Sequence, residues 1–573
     1  MTVSTFYETA HSAKQAGTTL NPNTVIELFE DGDYLAISFD LSVGQGATIA
    51  DAKLTVDVHS EDGGETDVYG DDSTDAAALA GVTGDITGRT PTAAVVHWAP
   101  SGTGSTEIDV TSIVAEIVAE PAWESGNRLV LIIAGKGDDR DELEIDSSTT
   151  FELEVDHSGG AVPAVPNGVY YGDVHVFTSP VAAGTKTIYW RSAVWGGITP
   201  KAVIVMGTGR TATGGMDAGA CLSFGMATQD AEGVISVCSE DGSASSDVNG
   251  KADDARIVWL TDQHGVNEEY AVIDAWDSEK IRFDFTTASS NAYYYTLLAM
   301  YCDDVKLMSI AAPSTNTTQA YTGAGFEPDA LIGMTLGHAS SPQTMTEIAA
   351  SIGVATPDGS KAIGFGEQNN QNYSVTDRVL RDGFFQAVYN GADWLVADVD
   401  SFDSDGFTLD FTQTQSSRLS TVLALKGVSA KIVTSTQPTT DSAVDHDIGF
   451  PPITAIGLTA MGTSSANIEA GLAFGAGFWT AIGQVGTIHE ACVAIVAEDN
   501  QDTTDTDRAF RQNKTLAHFD NTQTDVGSVT LSGDGTELTE SWVDTDGTQR
   551  EHVWFVLGDA PPDEGAAALM MLL

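Results

Sequence analysis

Apolar and polar residues alternate at the two-residue period of a β-strand along much of this 573-residue chain. Tyr34-Leu35-Ala36-Ile37-Ser38-Phe39-Asp40 is one such run, and Gly46 to Leu54 continues into Thr55-Val56-Asp57-Val58 as another. Ser401-Phe402-Asp403 and Phe407-Thr408-Leu409-Asp410-Phe411 flank Ser404-Asp405-Gly406, which reads as strand, Asp-Gly turn, strand. Ala275-Trp276-Asp277 and Ile281-Arg282-Phe283-Asp284-Phe285 repeat that form. Such alternation leaves one face buried and one wet, the pattern of an antiparallel sandwich. One stretch has a helical period instead. Ile113, Val114, Ile117 and Val118 form one face of a short helix, with capping groups in Asp109-Val110-Thr111-Ser112 and a stop at Pro121. Arg128 to Ile133 is the next strand.

One phrase returns three times. Pro200-Lys201-Ala202 precedes Val203-Ile204-Val205-Met206, Pro328-Asp329-Ala330 precedes Leu331-Ile332-Gly333-Met334, and Pro452-Ile453-Thr454 precedes Ala455-Ile456-Gly457-Leu458. A second echo follows each proline: Ser223-Phe224-Gly225, Ser351-Ile352-Gly353 and Ala473-Phe474-Gly475. The copies close on Leu297 to Met300, Val422 to Leu425 and Trp554 to Leu557. A period of about 125 residues is too long for a solenoid unit and fits duplicated β domains. The expected architecture is all-β: an N-terminal jelly-roll β-sandwich over residues 1–158, then three repeated β-sandwich domains at 159–303, 304–428 and 429–560, and an apolar tail at 561–573. The third copy departs most, because Asp525-Val526-Gly527-Ser528-Val529 lacks the aromatic-Asp-Gly form of the other hairpins.

Charge changes the picture of partners. With 82 acidic and 25 basic side chains the formal charge is −57, spread along the chain. An acidic coat disfavours nucleic acid, whose phosphates require Lys and Arg, and equally disfavours anionic membranes. It fits a salt-adapted protein, since salt screens the self-repulsion. Cys221, Cys238, Cys302 and Cys492 form no ligand spacing, and the expectation is four buried free thiols. The start of the chain lacks the basic region and apolar core of a signal peptide, and no apolar run reaches transmembrane length. Synthesis and assembly in the cytoplasm of the producing cell are therefore expected.

Two resemblances sharpen this reading. Leu35 to Ser42, Gly46 to Leu54 and Asp109 to Val114 follow, in order, the motifs of the DNRLRE-type or TGF-propeptide-like jelly-roll module. That likeness covers about 120 residues and implies a β-sandwich of the kind used in surface and adhesive proteins, with no fixed active residues to carry over. The repeats, through their Pro-x-Ala phrase, their glycine echo and Ser401 to Phe411, resemble repeats in tailed-virus virion proteins of the minor tail or tail-fibre type. This likeness covers about 390 residues and implies a virion location, other virion structural proteins as partners, a homo-oligomer with a trimer as first guess, and attachment to a host-surface glycan or glycoprotein.

Candidate chemistry is sparse. Asp398, Asp400, Asp403 and Asp405 cluster before Gly406, but Ser401 occupies the first position that a calcium loop needs, so a solvated turn is expected. His489-Glu490 opens like a zinc-protease motif, yet position 493 is valine. The chain contains neither a GxSxG elbow nor a GxxxxGK[ST] phosphate loop. A glycosidase needs only two placed carboxylates, which no sequence with so many acids can single out. Tyr293-Tyr294-Tyr295, Trp190, Trp195 and Trp276 form either a sugar-stacking platform or, alternation favouring it, core packing. No catalytic, cofactor or metal residue is assigned. The assembly residues are Leu569, Met570, Met571, Leu572 and Leu573, an apolar end set off by Pro561-Pro562 and suited to docking on a neighbour. The expected role is a non-enzymatic tail-fibre, baseplate or tail-tip component. A capsid decoration, spike or turret protein, and a polysaccharide-binding or polysaccharide-degrading surface protein, are the alternatives.

Overall fold

The computed structural model describes residues 2–158 and 169–560, except 8–9, 16–17, 20–24, 28–32, 42, 44–46, 62–64, 78, 80–85, 101, 121–122, 124–126, 137–142, 147–150, 191–194, 196–197, 262–265, 416, 463–466, 482–488 and 520–524. The protein is all-β, with one short helix, α1 (Thr111–Val118), among the described elements. Two compact units divide the chain. The first holds Met1–Ala164 with Trp190–Thr199, and the second holds Val165–Tyr189 with Pro200–Leu573.

Among the described residues, two six-stranded sheets build the first unit. In one, the long strand Thr48–Glu61 pairs antiparallel with Glu152–Ser158 and Leu143–Asp146 along one edge and with Gly104–Asp109 along the other. In the other, Tyr34–Asp40 and Thr66–Asp71 flank Arg128–Gly135. Leu35, Ile37 and Phe39 meet Leu54, Val56, Leu131 and Ile133 in a single apolar core. The predicted helix is present, and Ile113, Val114, Ile117 and Val118 are all buried. Its cap differs from expectation. Val110 occupies the cap position without a side-chain bond. Asp109 instead accepts the Thr111 amide at 3.1 Å and the Thr111 hydroxyl at 2.6 Å, while Thr111 Oγ1 accepts the Ala52 amide at 2.8 Å. The hydroxyl that could have capped the helix ties it to the long strand.

In the second unit each repeat contributes eleven strands among the described residues. The first repeat places Tyr171–Thr178, Tyr294–Tyr301, Ala202–Gly207, Ala220–Thr228, Ala231–Ser239 and Val248–Asp253 side by side in one sheet. Gly184–Tyr189, Lys280–Thr287, Asn267–Trp276 and Val258–Thr261 form a second, four-stranded sheet. The second and third repeats follow the same order. The predicted hairpin of the second repeat is formed by Ala392–Asp403 and Gly406–Gln413, with Asp403 opposite Gly406. The third repeat has a counterpart hairpin even though Asp525 to Val529 lacks the aromatic-Asp-Gly form. Asp525–Asp534 and Glu537–Val543 pair about Gly535-Thr536, a few residues beyond the segment that the sequence comparison had matched.

The eleventh strand of each repeat leaves its own sandwich. Gln343–Met345 of the second repeat adds to Val248–Asp253 of the first. Glu469–Ala470 of the third adds to Thr376–Asp382 of the second. Met216–Ala218 of the first adds to Thr506–Gln512 of the third, which closes the circle. Each six-stranded sheet would otherwise expose the main-chain groups of an edge strand, and the donated strand pairs them. The three repeats therefore form a pseudo-threefold ring within one chain.

The loops beside those edges repeat the ring in side-chain detail. Ser246 Oγ donates to Gln368 O at 2.7 Å and accepts Gln371 N–H at 3.0 Å. Ser374 Oγ donates to Glu498 O at 2.6 Å and accepts Gln501 N–H at 3.0 Å. Thr504 Oγ1 accepts Ser243 N–H at 2.9 Å. Asn369, Asp499 and Asp241 each accept the first amide of a strand in the preceding repeat, at Val248, Thr376 and Thr506. The following residues, Asn370, Asn500 and Gly242, have φ of 57°, 58° and 71°. Asn and Gly tolerate that left-handed conformation best.

The seven-stranded sheets turn one face to a common core. Ile204, Met206 and Phe224 of the first repeat, Ile332, Ile352 and Phe365 of the second, and Ile456, Phe474 and Phe555 of the third belong to one buried cluster. Phe365 and Phe474 meet at 5.2 Å between ring centres. The opposite faces pack on the four-stranded sheets, as Leu331, Phe384 and Phe407 do in the second repeat. A backbone approach explains the glycine echo. A Cβ on Gly225, Gly353 or Gly477 would lie 1.9 Å from the carbonyl oxygen of Ile257, Phe384 or Thr515 respectively. The third copy's equivalent is thus Gly477, two residues beyond the Gly475 that the sequence spacing singled out.

The expectation of four free thiols is corrected. Cys221 and Cys238 stand directly opposite on adjacent strands, with Cα atoms 4.1 Å apart, and are joined as a disulfide. Cys302 and Cys492 are free and buried.

Candidate functional site

Each four-stranded sheet keeps one face for solvent. Along Ala392–Asp403 and Gly406–Gln413 buried and exposed positions alternate, and Glu537–Val543 does the same in the third repeat. The acids of the second hairpin are engaged locally. Asp403 accepts the hydroxyls of Ser401 at 2.8 Å and Thr408 at 2.7 Å. Asp405 accepts the Gly325 amide at 2.7 Å, and Asp398 accepts the Ser360 hydroxyl and the Val399 amide. These contacts stiffen the turn. Among the described residues no group of three or more His, Cys, Asp or Glu side chains is placed to hold a metal ion.

A carboxylate at one position ties the two sheets of a sandwich together. Glu232 Oε1 accepts the Ile273 amide at 3.0 Å beside a register shift in Asn267–Trp276. Glu490, at the same place in the third repeat, accepts the Leu531 amide at 3.2 Å and the Thr515 hydroxyl. Burial pushes the Glu232 carboxyl up to about 7, with the Ile273 amide opposing. Around Glu232 the first repeat opens a cleft of about 480 Å³, lined by Thr228 to Glu232, Asp254, Ala255 and Ile273 to Trp276. Glu232 Oε2 and Trp276 Nε1 at this wall are buried with no hydrogen-bond partner. Asp274 in the same wall is held by the Arg282 guanidinium through bonds of 2.9 to 3.1 Å.

The third sandwich encloses a polar network that the sequence did not signal. Glu540, wholly buried, accepts from Trp542 Nε1 and Trp554 Nε1, both at 2.7 Å. His446 Nε2 lies 2.5 Å and His552 Nε2 3.1 Å from the same carboxylate. Burial opposes the charge, but the two histidines and the indole of Trp542 win, and the carboxyl sits well below the usual range. His518, also fully buried and bonded to Gln437, is driven well below the ordinary imidazole range by burial and by His552. Its members scatter from residue 437 to residue 554, so no spacing rule could have collected them. All but the partly exposed His446 are buried, and the carboxylate itself has no exposed surface, which makes the group a packing hub of the third sandwich.

The sequence-predicted residues fare unevenly. Tyr293, Tyr295, Trp190 and Trp195 are buried, whereas Tyr294 and Trp276 are partly exposed, so the aromatic group does not make one platform. The Tyr295 hydroxyl donates to the buried Glu269, whose carboxyl burial lifts to about 7. His489 precedes the strand that Glu490 begins. Leu569, Met570, Met571, Leu572 and Leu573 lie outside the described residues.

No protein-family model matches this chain, and no curated protein does. Among solved structures, the chain is similar to one titled "Structure of the Macrobrachium rosenbergii Nodavirus", at 10% identity, over 52% of this chain and 89% of that one, with a TM-score of 0.14. The fold and the contacts within it therefore carry the functional argument.

Proposed function

We propose that this protein is a structural component of a virion, a tail-fibre, baseplate or tail-tip protein of a tailed virus that attaches to a host surface through multivalent β domains. One observation carries the reading: three equivalent sandwiches, locked in a ring by cyclic strand donation, each keep one sheet face for solvent. Weak sites repeated on a rigid frame gain apparent affinity through effective concentration, without new contacts. The acidic coat supports a partner other than nucleic acid or anionic lipid. Other virion proteins and a host glycan or glycoprotein are the proposed partners, and a homo-oligomer, a trimer first, would add a further level of multivalency.

A second reading draws on the same ring. Threefold positions recur on icosahedral shells, and a chain with its own pseudo-threefold axis suits a capsid decoration, spike or turret protein. Immunogold labelling of intact particles separates the two: label on the tail supports attachment, and label spread over the head overturns it. Incubation of the purified chain with host cells and with cell-wall polysaccharide is the companion test. Binding without release of oligosaccharide fits the non-enzymatic reading, and release of oligosaccharide overturns it in favour of a polysaccharide-degrading protein.

A further inference from the structure

The cleft of the first repeat differs from its counterparts in the other two. Glu232 is replaced by Ser360 in the second repeat and kept as Glu490 in the third; Trp276 is replaced by Phe402 and Gly533. Only in the first repeat do these two positions carry a carboxylate and an indole together; in the third, Trp479, opposite Glu490 on the adjacent strand, packs over Gly533 instead. The wall also leaves one acceptor, Glu232 Oε2, and one donor, Trp276 Nε1, without partners. Buried polar atoms in folded proteins are nearly always satisfied, so a donor and an acceptor left over together point to a ligand carrying both functions. A hydroxyl is such a group, and the partly exposed indole offers an apolar face beside it. A volume of about 480 Å³ falls within the range of about 300 to 1,000 Å³ common for small-ligand sites.

We propose that this cleft is a saccharide subsite, in which a neutral sugar packs against Trp276 and its hydroxyls bond to Glu232 Oε2 and Trp276 Nε1. The charge around it selects against acidic sugars. Asp230 and Asp254 are exposed on the rim, while Arg282 is committed to Asp274. A uronic or sialic acid would meet unneutralised carboxylates and would have no free cation to pair with in this wall. The inference deepens the attachment reading and rests on it for its biological meaning, but it is tested separately from it.

The full-length chain is applied to an array of neutral, amino and acidic glycans, and the best-bound neutral oligosaccharide is then titrated while tryptophan fluorescence is followed. Binding by neutral glycans is expected. Trp276→Ala should weaken it by at least about tenfold. Trp276→Phe keeps a ring without the N–H, and Glu232→Gln keeps the Ile273 bond while replacing the free acceptor with a donor; each should fall between wild type and Trp276→Ala. Phe402→Ala, at the matching place in the second repeat, should leave affinity unchanged. The proposal is overturned if no neutral glycan binds at millimolar concentration, if acidic glycans bind better, or if the three cleft variants, with unaltered thermal unfolding, bind as wild type does. Host-cell binding that survives all three variants would overturn this subsite while leaving the attachment reading intact.

Discussion

Ser374 of the second repeat donates its hydroxyl to the main-chain oxygen of Glu498 in the third, at 2.6 Å, and accepts the Gln501 amide in return. Ser246 makes the same pair of bonds one seam earlier, to Gln368 and Gln371. The joints between repeats are thus specified by side chains as well as by strand pairing, and they are wholly internal to the second unit. Ser374→Ala removes one hydroxyl and leaves a buried oxygen and amide unpaired, which costs about 1–3 kcal/mol. Calorimetry should show a lower Tm with one cooperative transition for the three repeats, because they share a core. Three separate transitions would mean that the sandwiches fold independently.

Glu367 is fully buried at the seam, bonded to Ser239 through one oxygen and unpartnered at the other. Burial, helped by Asp499, lifts its carboxyl to about 8. A raised carboxyl favours the protonated form in the fold, so its contribution is fully present below about 4.5 and is lost as pH rises through about 8. Glu367→Gln removes that loss. The variant should gain stability relative to wild type between pH 5 and pH 8.5, by up to roughly 3–5 kcal/mol. Denaturant midpoints at the two pH values check this, and an equal difference at both would refute it.

The third sandwich should respond to pH in the opposite sense. The Glu540 carboxyl is held low, so its contribution is present above about 4.5 and is lost as pH falls below that value. His518 is held neutral, so stability also falls below about 6.5, where the unfolded chain takes up a proton that the folded one refuses. Glu540→Gln leaves four donors facing a group that can accept through one atom only, and should cost about 2–4 kcal/mol at pH 7. Its unfolding midpoint should depend less on pH between 3 and 5 than that of wild type. Titration followed by indole fluorescence reads this directly, since Trp542 and Trp554 touch the carboxylate.

Gly353→Ala places a methyl group 1.9 Å from Phe384 O, a backbone atom that cannot rotate away. The two sheets of the second sandwich would have to separate, at a cost of about 3 kcal/mol or more. Gly214→Ala, where the added carbon meets nothing within 4 Å, is the control and should be near neutral. Equal effects at the two sites would remove the sheet-contact explanation.

A net charge of −57 sets the response to salt. Raising NaCl from about 0.1 M to 1 M shortens the screening length from about 10 Å to 3 Å, and the self-repulsion of the acidic coat should weaken accordingly. The Tm should climb across that range. A flat or falling curve would count against salt adaptation.

Much of the fold was legible in local pattern. Leu35, Ile37 and Phe39 alternate because their strand has one buried face, and Ile113 to Val118 carry a helical period because that helix has one. The proline-led phrase that returns three times marks strands that occupy the same place in each copy. The candidate cleft was legible only in part: Trp276 was singled out as one of several aromatics, but Glu232 is one acid among 82.

What the chain alone determined, then, was the element type, the buried faces and the threefold repetition, since a period of two residues follows from local backbone geometry. The three-dimensional arrangement decided the rest. Donated strands of two or three residues, such as Glu469–Ala470, are too short to show any period, so the ring they close leaves no trace in the pattern. Cys221 and Cys238 meet because two strands pair in one register, and Glu540 meets His446 and His552 because two sheets pack together. Partner choice between segments far apart in sequence is fixed by long-range pairing and packing, which alternation along a single strand does not encode.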